Sequence, residues 1–204
     1  KQMPFWDRSL DLVVLTSPDR DRLNGLVPVL SRYDVATVAT CSEPGQGETY
    51  EAWLEALSAR PTAPWIPVAG SVLLDLDPDV ALHVLWPPAD VVGPLVLQLA
   101  YGEARFLLLG DATTVVEEAL VGAYGAELQS EVLQLARQGT QTSTSAPLLQ
   151  AVAPQAVVVG LDEGRTLSSY VLARIMDIPL YQTGYDGTVD VRSNGATVDI
   201  RTSH

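Results

Sequence analysis

Apolar positions along the first sixty residues follow two different periods. The continuous apolar run Leu10–Leu15 predicts a buried strand, and Val35–Thr40 predicts another. Between them the apolar residues recur at helical spacing, which predicts a helix over about Pro18–Arg32. Ser17 suits the N-cap of this helix and Pro18 its first position. The chain therefore opens as a β-α-β unit.

The stripe Tyr50, Trp53, Leu54 and Leu57 predicts a second helix, which ends before Pro61. From Trp65 to Phe106 the pattern changes to short runs separated by turns, which predicts a mostly antiparallel meander. We expect its strands at Trp65–Val68, Ser71–Leu76, Ala81–Leu85, Leu95–Tyr101 and Arg105–Leu109, with a hairpin turn at Tyr101–Glu103.

The second half alternates helical and strand patterns. A turn at Gly110-Asp111-Ala112 precedes a helix that carries Val115, Val116, Ala119 and Leu120. Strands are expected at Val132–Leu135 and Ala156–Val159, and helices near Ala146–Val152 and Ser168–Met176. Asp186-Gly187 and Asn194-Gly195 are hairpin signals that flank Thr188–Arg192 and Ala196–Arg201. Sheets covered by helices are expected, in an α/β or α+β sandwich.

Composition and charge narrow the class of protein. The 204 residues suit one domain, and 47% hydrophobic with 18% charged residues is ordinary for a globular protein. The net charge of −13 repels polyanions and disfavours strong nucleic-acid binding by this chain alone. The single Cys41 excludes an internal disulfide and a cysteine-based zinc cluster. The opening residues KQMPFWDRSLD have no signal-peptide pattern, and we interpret the chain as part of a longer one.

Several turns carry the chemistry. The first predicted strand runs into T-S-P-D-R-D-R-L-N-G, and a later one ends in L-L-L-G-D-A, with Glu117 and Glu118 in the next helix. R-Q-G-T-Q-T-S-T-S then precedes P-L-L-Q-A-V-A-P-Q-A-V-V-V, and Y-Q-T-G-Y-D-G-T-V-D-V follows near the end. In order and spacing these turns resemble the metallo-β-lactamase-like domain at the C-terminal end of ComEC-type competence proteins, the membrane channels for DNA uptake. The resemblance covers nearly all of the chain.

The resemblance implies a fold, a place and a partner. The expected fold is an α+β metallo-β-lactamase-like αββα four-layer sandwich in one domain, residues 1–204, whose N-terminal strands are missing from this chain. The expected place is the extracytoplasmic side of a bacterial membrane protein. The partners implied are incoming or single-stranded DNA, reached through the parent protein, and the remaining domains of the membrane channel.

The resemblance also indicates that the metal ligands are lost. In the family these turns look like T-H-x-H-x-D-H-x-x-G, L-L-T-G-D and H-H-G-S. The family's histidines fall on Ser17, Asp19, Arg22, Arg137, Gln138 and about Thr166, whereas the carboxylates are kept as Asp21 and Asp111. His83 and His204 are the two histidines of the chain, and neither falls at a ligand position. We expect no cofactor, and a salt bridge from Arg22 to Asp111 or Asp21 in place of the metal.

Two functions follow, with a third that is weaker. The first is a catalytically degenerate domain of a DNA-internalisation protein, a structural or DNA- or partner-guiding module. The alternative is a divergent Mg²⁺ or Mn²⁺ phosphodiesterase or nuclease that uses Asp19, Asp21 and Asp111. The third is a separate secreted domain unrelated to DNA. A purely structural interpretation of Asp19 and Asp21 is that they are first-turn carboxylates favoured by the helix dipole.

Other chemistry-bearing residues favour structural roles. The hydroxyl-rich segment Gln138–Ser145 has no neighbouring His or Lys to activate a nucleophile, so a solvated loop or helix N-cap is expected. His83 is expected to be packed or at a sheet edge. Gly45-Gln46-Gly47 precedes an acidic helix start and matches no phosphate-binding pattern. The tryptophans Trp53, Trp65 and Trp86 are expected to fill core or rim positions.

Overall fold

The computed structural model describes residues 6–60, 65–70 and 72–204 and shows a mixed α/β chain. A parallel sheet of three strands in the order β1-β2-β3 opens it. Its strands are β1 (Ser9–Leu15), β2 (Asp34–Cys41) and β3 (Trp65–Val68). The predicted β-α-β unit is confirmed, since β1 and β2 pair in parallel across the first helix.

A second sheet holds seven strands in the order β10-β9-β8-β7-β6-β5-β4. β4 to β7 form the predicted antiparallel meander, whereas β7 to β10 run parallel. The bounds are β4 (Val72–Asp77), β5 (Val80–Trp86), β6 (Val96–Tyr101), β7 (Ala104–Leu108), β8 (Val132–Gln134), β9 (Ala156–Val159) and β10 (Leu180–Gln182). The predicted first position of β4, Ser71, and the Trp65 side chain lie outside the described residues.

The described residues form six α-helices. They are α1 (Arg20–Arg32), α2 (Glu48–Ser58), α3 (Thr114–Tyr124), α4 (Ala146–Val152), α5 (Ser169–Arg174) and the single turn α6 (Thr183–Asp186). The apolar stripes that predicted α1 and α2 are their buried faces, which carry Leu23, Leu30, Trp53 and Leu57.

Two apolar cores separate the layers. The first joins α1 and α2 to the three-stranded sheet and to one face of β5 and β6. The second joins the opposite face of the seven-stranded sheet to α3, α4 and α5. Successive residues of β6 divide between the cores, with Leu97 in the first and Val96 in the second, because side chains alternate across a strand. The result is the predicted helix–sheet–sheet–helix layering.

Two local predictions about the first sheet and helix are wrong. β3 does not belong to the meander, because it pairs in parallel with β2, with Trp65 opposite Val38. Asp19, not Ser17, is the N-cap of α1, and Pro18 lies before the helix. Ser17 is buried at the end of β1, and its Oγ accepts from the Asp19 N–H at 3.4 Å, so it does not reach the helix amides.

The C-terminal hairpin forms a sheet of its own from β11 (Val189–Ser193) and β12 (Val198–Thr202). The predicted turn at Asn194-Gly195 is confirmed. The hairpin signal at Asp186-Gly187 is wrong, because this pair ends α6, and the preceding strand β10 lies in the seven-stranded sheet. The Gly195 carbonyl accepts from the N–H groups of Glu103 and Ala104, which attaches the hairpin to the β6–β7 turn.

An open groove of about 440 Å³ separates the seven-stranded sheet from this hairpin. Most of its lining is apolar, and it includes Leu99, Phe106, Leu108, Val132, Val158 and Val191. Leu108 is 37% exposed, although its neighbour Leu107 is fully buried on the other face of the sheet.

Among the described residues, no helix combines the length and the apolar character that crossing a membrane requires.

Candidate functional site

Six of the eight residues singled out by the resemblance line one cavity of about 460 Å³. The cavity lies where α1 begins, beside the turn after β7 and the turn after β8. Its lining consists of Asp19, Arg20, Asp21, Arg22, Asp111, Arg137, Gln138 and Thr140. Ser17 and Thr166 are not part of this lining: Ser17 is buried at 2% exposure, and Thr166 is exposed.

An ion pair crosses the cavity. Arg22 Nη2 lies 3.1 Å from Asp111 Oδ1, and the two side chains are 36% and 16% exposed. Of the two partners expected for Arg22, the structure has Asp111. The other carboxylate oxygen, Asp111 Oδ2, is buried and has no hydrogen-bond partner among the described residues. A guanidinium therefore supplies the positive charge that this carboxylate faces.

The turn that presents Asp111 needs glycine at its first position. Gly110 has φ of +55°, and a Cβ there would lie 3.0 Å from the Leu95 carbonyl oxygen. The Gly110 carbonyl accepts from the Arg137 N–H at 3.0 Å. This hydrogen bond joins the Asp111 turn to the turn after β8, so the two sides of the cavity are held together through the backbone.

Asp19 and Asp21 sit at the start of α1, and both are exposed. Asp19 is the N-cap, but its carboxylate makes no capping hydrogen bond, and Asp21 lies in the first turn. Asp21 thus has the position that the dipole interpretation predicted, and the Arg22 N–H donates to the Asp19 carbonyl at 2.9 Å.

Arg137 and Gln138 have left-handed backbones, with φ of 49° and 55°. Few residues other than glycine adopt this region, and two in succession cost free energy that the surroundings must offset. Gln138 Oε1 accepts from Arg165 Nη1 at 2.9 Å. Arg165 precedes Thr166, so the segment that carries Thr166 contacts the cavity rim through its neighbour.

A buried carboxylate holds the loop behind Arg137 and Gln138. Glu117 is fully buried, and its two oxygens accept from the N–H groups of Thr144 at 2.6 Å and Ser145 at 2.7 Å. From the other side, Arg174 Nη1 donates to the carbonyls of Ser143 and Thr144. The position of this loop is therefore fixed by hydrogen bonds to side chains of α3 and α5.

The expectation of a solvated loop over Gln138–Ser145 is wrong for Ser143 and Thr144, which are fully buried. Their backbone groups find partners in Glu117 and Arg174, so burial leaves them satisfied. The N-cap alternative holds for Ser145, whose Oγ accepts from the Leu148 N–H at the start of α4.

Sequence reasoning missed Glu43, in the loop after β2. Burial raises the pKa of its carboxyl above the usual 4.5, and the carboxylates of Asp19 and Asp111 raise it further. Burial raises the pKa of the nearby Cys41 thiol to about 11, with added repulsion from Glu43 and Asp19. Glu43 carries no sequence signal, because only the fold brings it beside α1 and the β7 turn.

The donor set does not fit a zinc ion or a two-metal centre. Among the described residues, no three His, Cys, Asp or Glu side chains converge closely enough to hold a metal ion. Zinc in hydrolases takes mainly imidazole and thiolate ligands, and the cavity lining offers neither. Arg22 also directs a fixed positive charge at Asp111.

Comparison with known proteins gives one sequence relative and several structural neighbours. No family model matches the chain. The competence protein ComA of Neisseria gonorrhoeae is 46% identical over 63 residues, which are 31% of this chain and 9% of ComA. This match therefore spans only a small part of that longer protein.

The structural neighbours share the fold at low sequence identity. The metallo-β-lactamase fold protein YhfI from Bacillus subtilis superposes with a TM-score of 0.55 and 7% identity over 94% of this chain and 78% of YhfI. CmlA, a diiron β-hydroxylase from Streptomyces venezuelae, gives a TM-score of 0.53 and 14% identity over 74% of this chain and 35% of CmlA.

Proposed function

We propose that this chain, which has a metallo-β-lactamase fold and is similar over 63 residues to the competence protein ComA, is a catalytically degenerate domain of a ComEC-type protein. It acts as a structural module, or as one that guides DNA or a partner domain, within a DNA-internalisation protein. Its cavity brings together six of the positions that the resemblance assigns to the metal site, and its lining contains no histidine or cysteine.

The observation that supports this proposal is the contact between Arg22 and Asp111 at 3.1 Å. The resemblance implies that the aspartate at this position faces a metal ion in metal-dependent relatives. In this chain Asp111 faces a guanidinium. Arginine stays protonated at all pH values that a folded protein experiences, so its charge is permanent. A divalent ion bound at Asp111 would repel this charge, by several kcal/mol at roughly 4 Å and intermediate dielectric.

We also propose a location and partners for the domain. We place the domain on the extracytoplasmic side of a bacterial membrane protein, against the remaining domains of a DNA channel. Incoming single-stranded DNA would reach it through the parent protein. The net charge of −13 repels a polyanion, so the 204 residues by themselves bind nucleic acid weakly at physiological salt.

The apolar groove beside the C-terminal hairpin supports the expectation of additional strands in this domain. Exposed apolar faces of this kind mark surfaces that another segment covers. We propose that strands outside the 204 residues cover Leu99, Phe106 and Leu108. A hydrophobic dye such as ANS would then bind residues 1–204 more strongly than a longer form of the polypeptide. Equal dye binding by the two would remove this part of the proposal.

One observation favours the alternative enzyme. Asp19, Asp21 and Asp111 line the same cavity, and Asp111 Oδ2 is buried without a hydrogen-bond partner in the described part of the chain. A hard divalent ion prefers such oxygen ligands. The alternative requires Arg22 to leave Asp111, because the guanidinium and a divalent ion would repel each other if both bound the Asp111 carboxylate.

A hydrolysis assay separates the two functions. The purified domain is incubated with labelled single-stranded and double-stranded DNA in Mg²⁺ or Mn²⁺, beside the variant Asp111→Asn. The proposal predicts equal background for the two proteins at every metal concentration. Turnover that requires metal and disappears in Asp111→Asn, while the circular dichroism spectrum is unchanged, would establish the enzyme instead.

A further inference from the structure

Two arginines of the cavity have no charge partner among the residues that the structure describes. Arg20 and Arg137 both line the cavity and are exposed. Their guanidinium groups donate no hydrogen bond and form no ion pair with any residue that the structure describes. By contrast, Arg22 is paired with Asp111, and Arg174 is held by the Ser143 and Thr144 carbonyls. Two guanidiniums with no partner in the described ranges therefore line one cavity.

The position of Arg137 is fixed by backbone contacts. Its N–H donates to the Gly110 carbonyl at 3.0 Å, and its own carbonyl accepts from the Thr140 N–H at 3.3 Å. Its φ of 49° is left-handed, and these two backbone contacts support that geometry. The Arg137 side chain therefore extends from a backbone that is held in place at the cavity.

We propose that this cavity is a metal-independent binding site for a phosphate-type oxyanion, with Arg20 and Arg137 as its two guanidinium ligands. The inference rests on the proposed function, because it requires Arg22 to remain on Asp111 and the cavity to hold no catalytic metal. Guanidinium groups donate paired N–H bonds that match phosphate oxygens. The N-terminus of α1, which carries Arg20, adds a favourable dipole.

Three carboxylates oppose this anion. Asp19 and Asp21 line the same cavity and are exposed, and Glu43 lies close enough to interact with Asp19 and Asp111, whereas Asp111 itself is paired with Arg22. Binding is therefore expected to be modest and to weaken with salt, because exposed charges are screened. The affinity for the anion should therefore change in opposite directions in two kinds of variant. Removing a carboxylate should raise it, and removing a guanidinium should lower it.

The ligand chemistry is shared by two sources, a phosphodiester of a single strand and free inorganic phosphate. We test both by isothermal titration of the 204-residue chain in EDTA at low salt, with a short single-stranded oligonucleotide and separately with inorganic phosphate. The variants are Arg20→Gln, Arg137→Gln and Asp21→Asn. The matched control is Arg32→Gln, which removes another exposed arginine at the opposite end of α1, about 18 Å away along the helix.

The expected result is saturable binding of at least one probe, reduced about tenfold by Arg20→Gln or Arg137→Gln. Asp21→Asn should increase the affinity, and Arg32→Gln should leave it within error of the wild type. Binding of the oligonucleotide assigns the strand as the source, and binding of phosphate alone assigns the free ion; either supports the site. No saturable binding, or equal losses in Arg32→Gln, would overturn the inference.

The titration in EDTA and the hydrolysis assay test the oxyanion site and the proposed function separately. Metal-dependent turnover that Asp111→Asn abolishes would refute the proposed function, whereas loss of the arginine effect in EDTA would refute the oxyanion site alone. Thermal melts of each variant keep the comparison valid, because all four substituted residues are exposed and none belongs to either core.

Discussion

Arg22 Nη2 and Asp111 Oδ1 lie 3.1 Å apart, although 89 positions separate the two residues in the sequence. The contact joins the first turn of α1 to the turn after β7. The first belongs to the three-stranded half of the sandwich and the second to the seven-stranded half. The pair therefore links the two halves across the cavity that Asp19, Arg22 and Asp111 line.

Loss of one partner should cost more than loss of both. Arg22→Met leaves the mostly buried Asp111 carboxylate without its counter-ion, and we expect the free energy of unfolding to fall by about 1–3 kcal/mol. Adding Asp111→Asn should recover most of the loss. Urea denaturation of the four proteins in a double-mutant cycle measures the coupling. Additive effects of the two substitutions would show that the contact contributes nothing.

Glu117 should be a major stabilising residue of the cavity loop. In Glu117→Gln one of the two short contacts, from Thr144 N–H or Ser145 N–H, loses its acceptor inside the protein. We expect a loss of about 1–3 kcal/mol in the free energy of unfolding. Glu118→Gln is the matched control, since its side chain is exposed on the same helix. Equal effects of the two changes would contradict this role.

Two glycine substitutions should have opposite signs. At Gly139, with φ of +68°, a Cβ would lie 1.8 Å from Leu167 Cδ2, so Gly139→Ala should lower the melting temperature. At Gly25, inside α1, a Cβ meets nothing within 4 Å, and Gly25→Ala should stabilise the protein by roughly 0.5–1 kcal/mol. Differential scanning calorimetry compares them. Stabilisation by Gly139→Ala would show that the loop geometry is different.

Stability should depend on pH through Glu43. Because its folded pKa is raised above the usual 4.5, the folded state binds this proton more tightly than the unfolded state does. The resulting stabilisation is complete below the unfolded pKa and disappears as the pH rises through the folded pKa. At neutral pH the ionised Glu43 therefore faces Asp19 and Asp111 at a net cost.

Glu43→Gln should accordingly be more stable than the wild type at pH 7, by less than about 1 kcal/mol because solvent screens this partly exposed group. The advantage should shrink as the pH falls below the raised pKa. Thermal melts of both proteins between pH 4 and pH 8 measure it. A constant difference across this range would exclude Glu43 as its source.

Local pattern predicted most of the elements, because their apolar stripes coincide with buried faces. The bounds predicted for α4 and β9 match the structure, since both carry continuous apolar runs into the second core. The sheet to which β3 belongs could not be predicted. A strand of four residues carries too little pattern to identify its partner, and β3 pairs with β2 although α2 lies between them in the chain.

The candidate site also contains residues that the sequence indicates and residues that only the tertiary structure reveals. Asp19, Asp21, Arg22 and Asp111 come from turns with a sequence signature, and the structure brings them to one cavity. Glu43 could not be found from sequence, because its proximity to Asp19 and Asp111 arises from tertiary packing alone. The burial of Ser143 and Thr144 was missed for a related reason. The acceptor that satisfies Thr144 lies 27 positions away on α3.

We propose that a guanidinium has replaced the metal at Asp111. Crystals of the domain grown in Mn²⁺, with anomalous diffraction collected at the manganese edge, test it most directly. We predict no anomalous peak between Asp21 and Asp111, and Arg22 Nη2 within hydrogen-bond distance of Asp111 Oδ1. A strong peak coordinated by Asp111, with the Arg22 side chain displaced from the cavity, would contradict it.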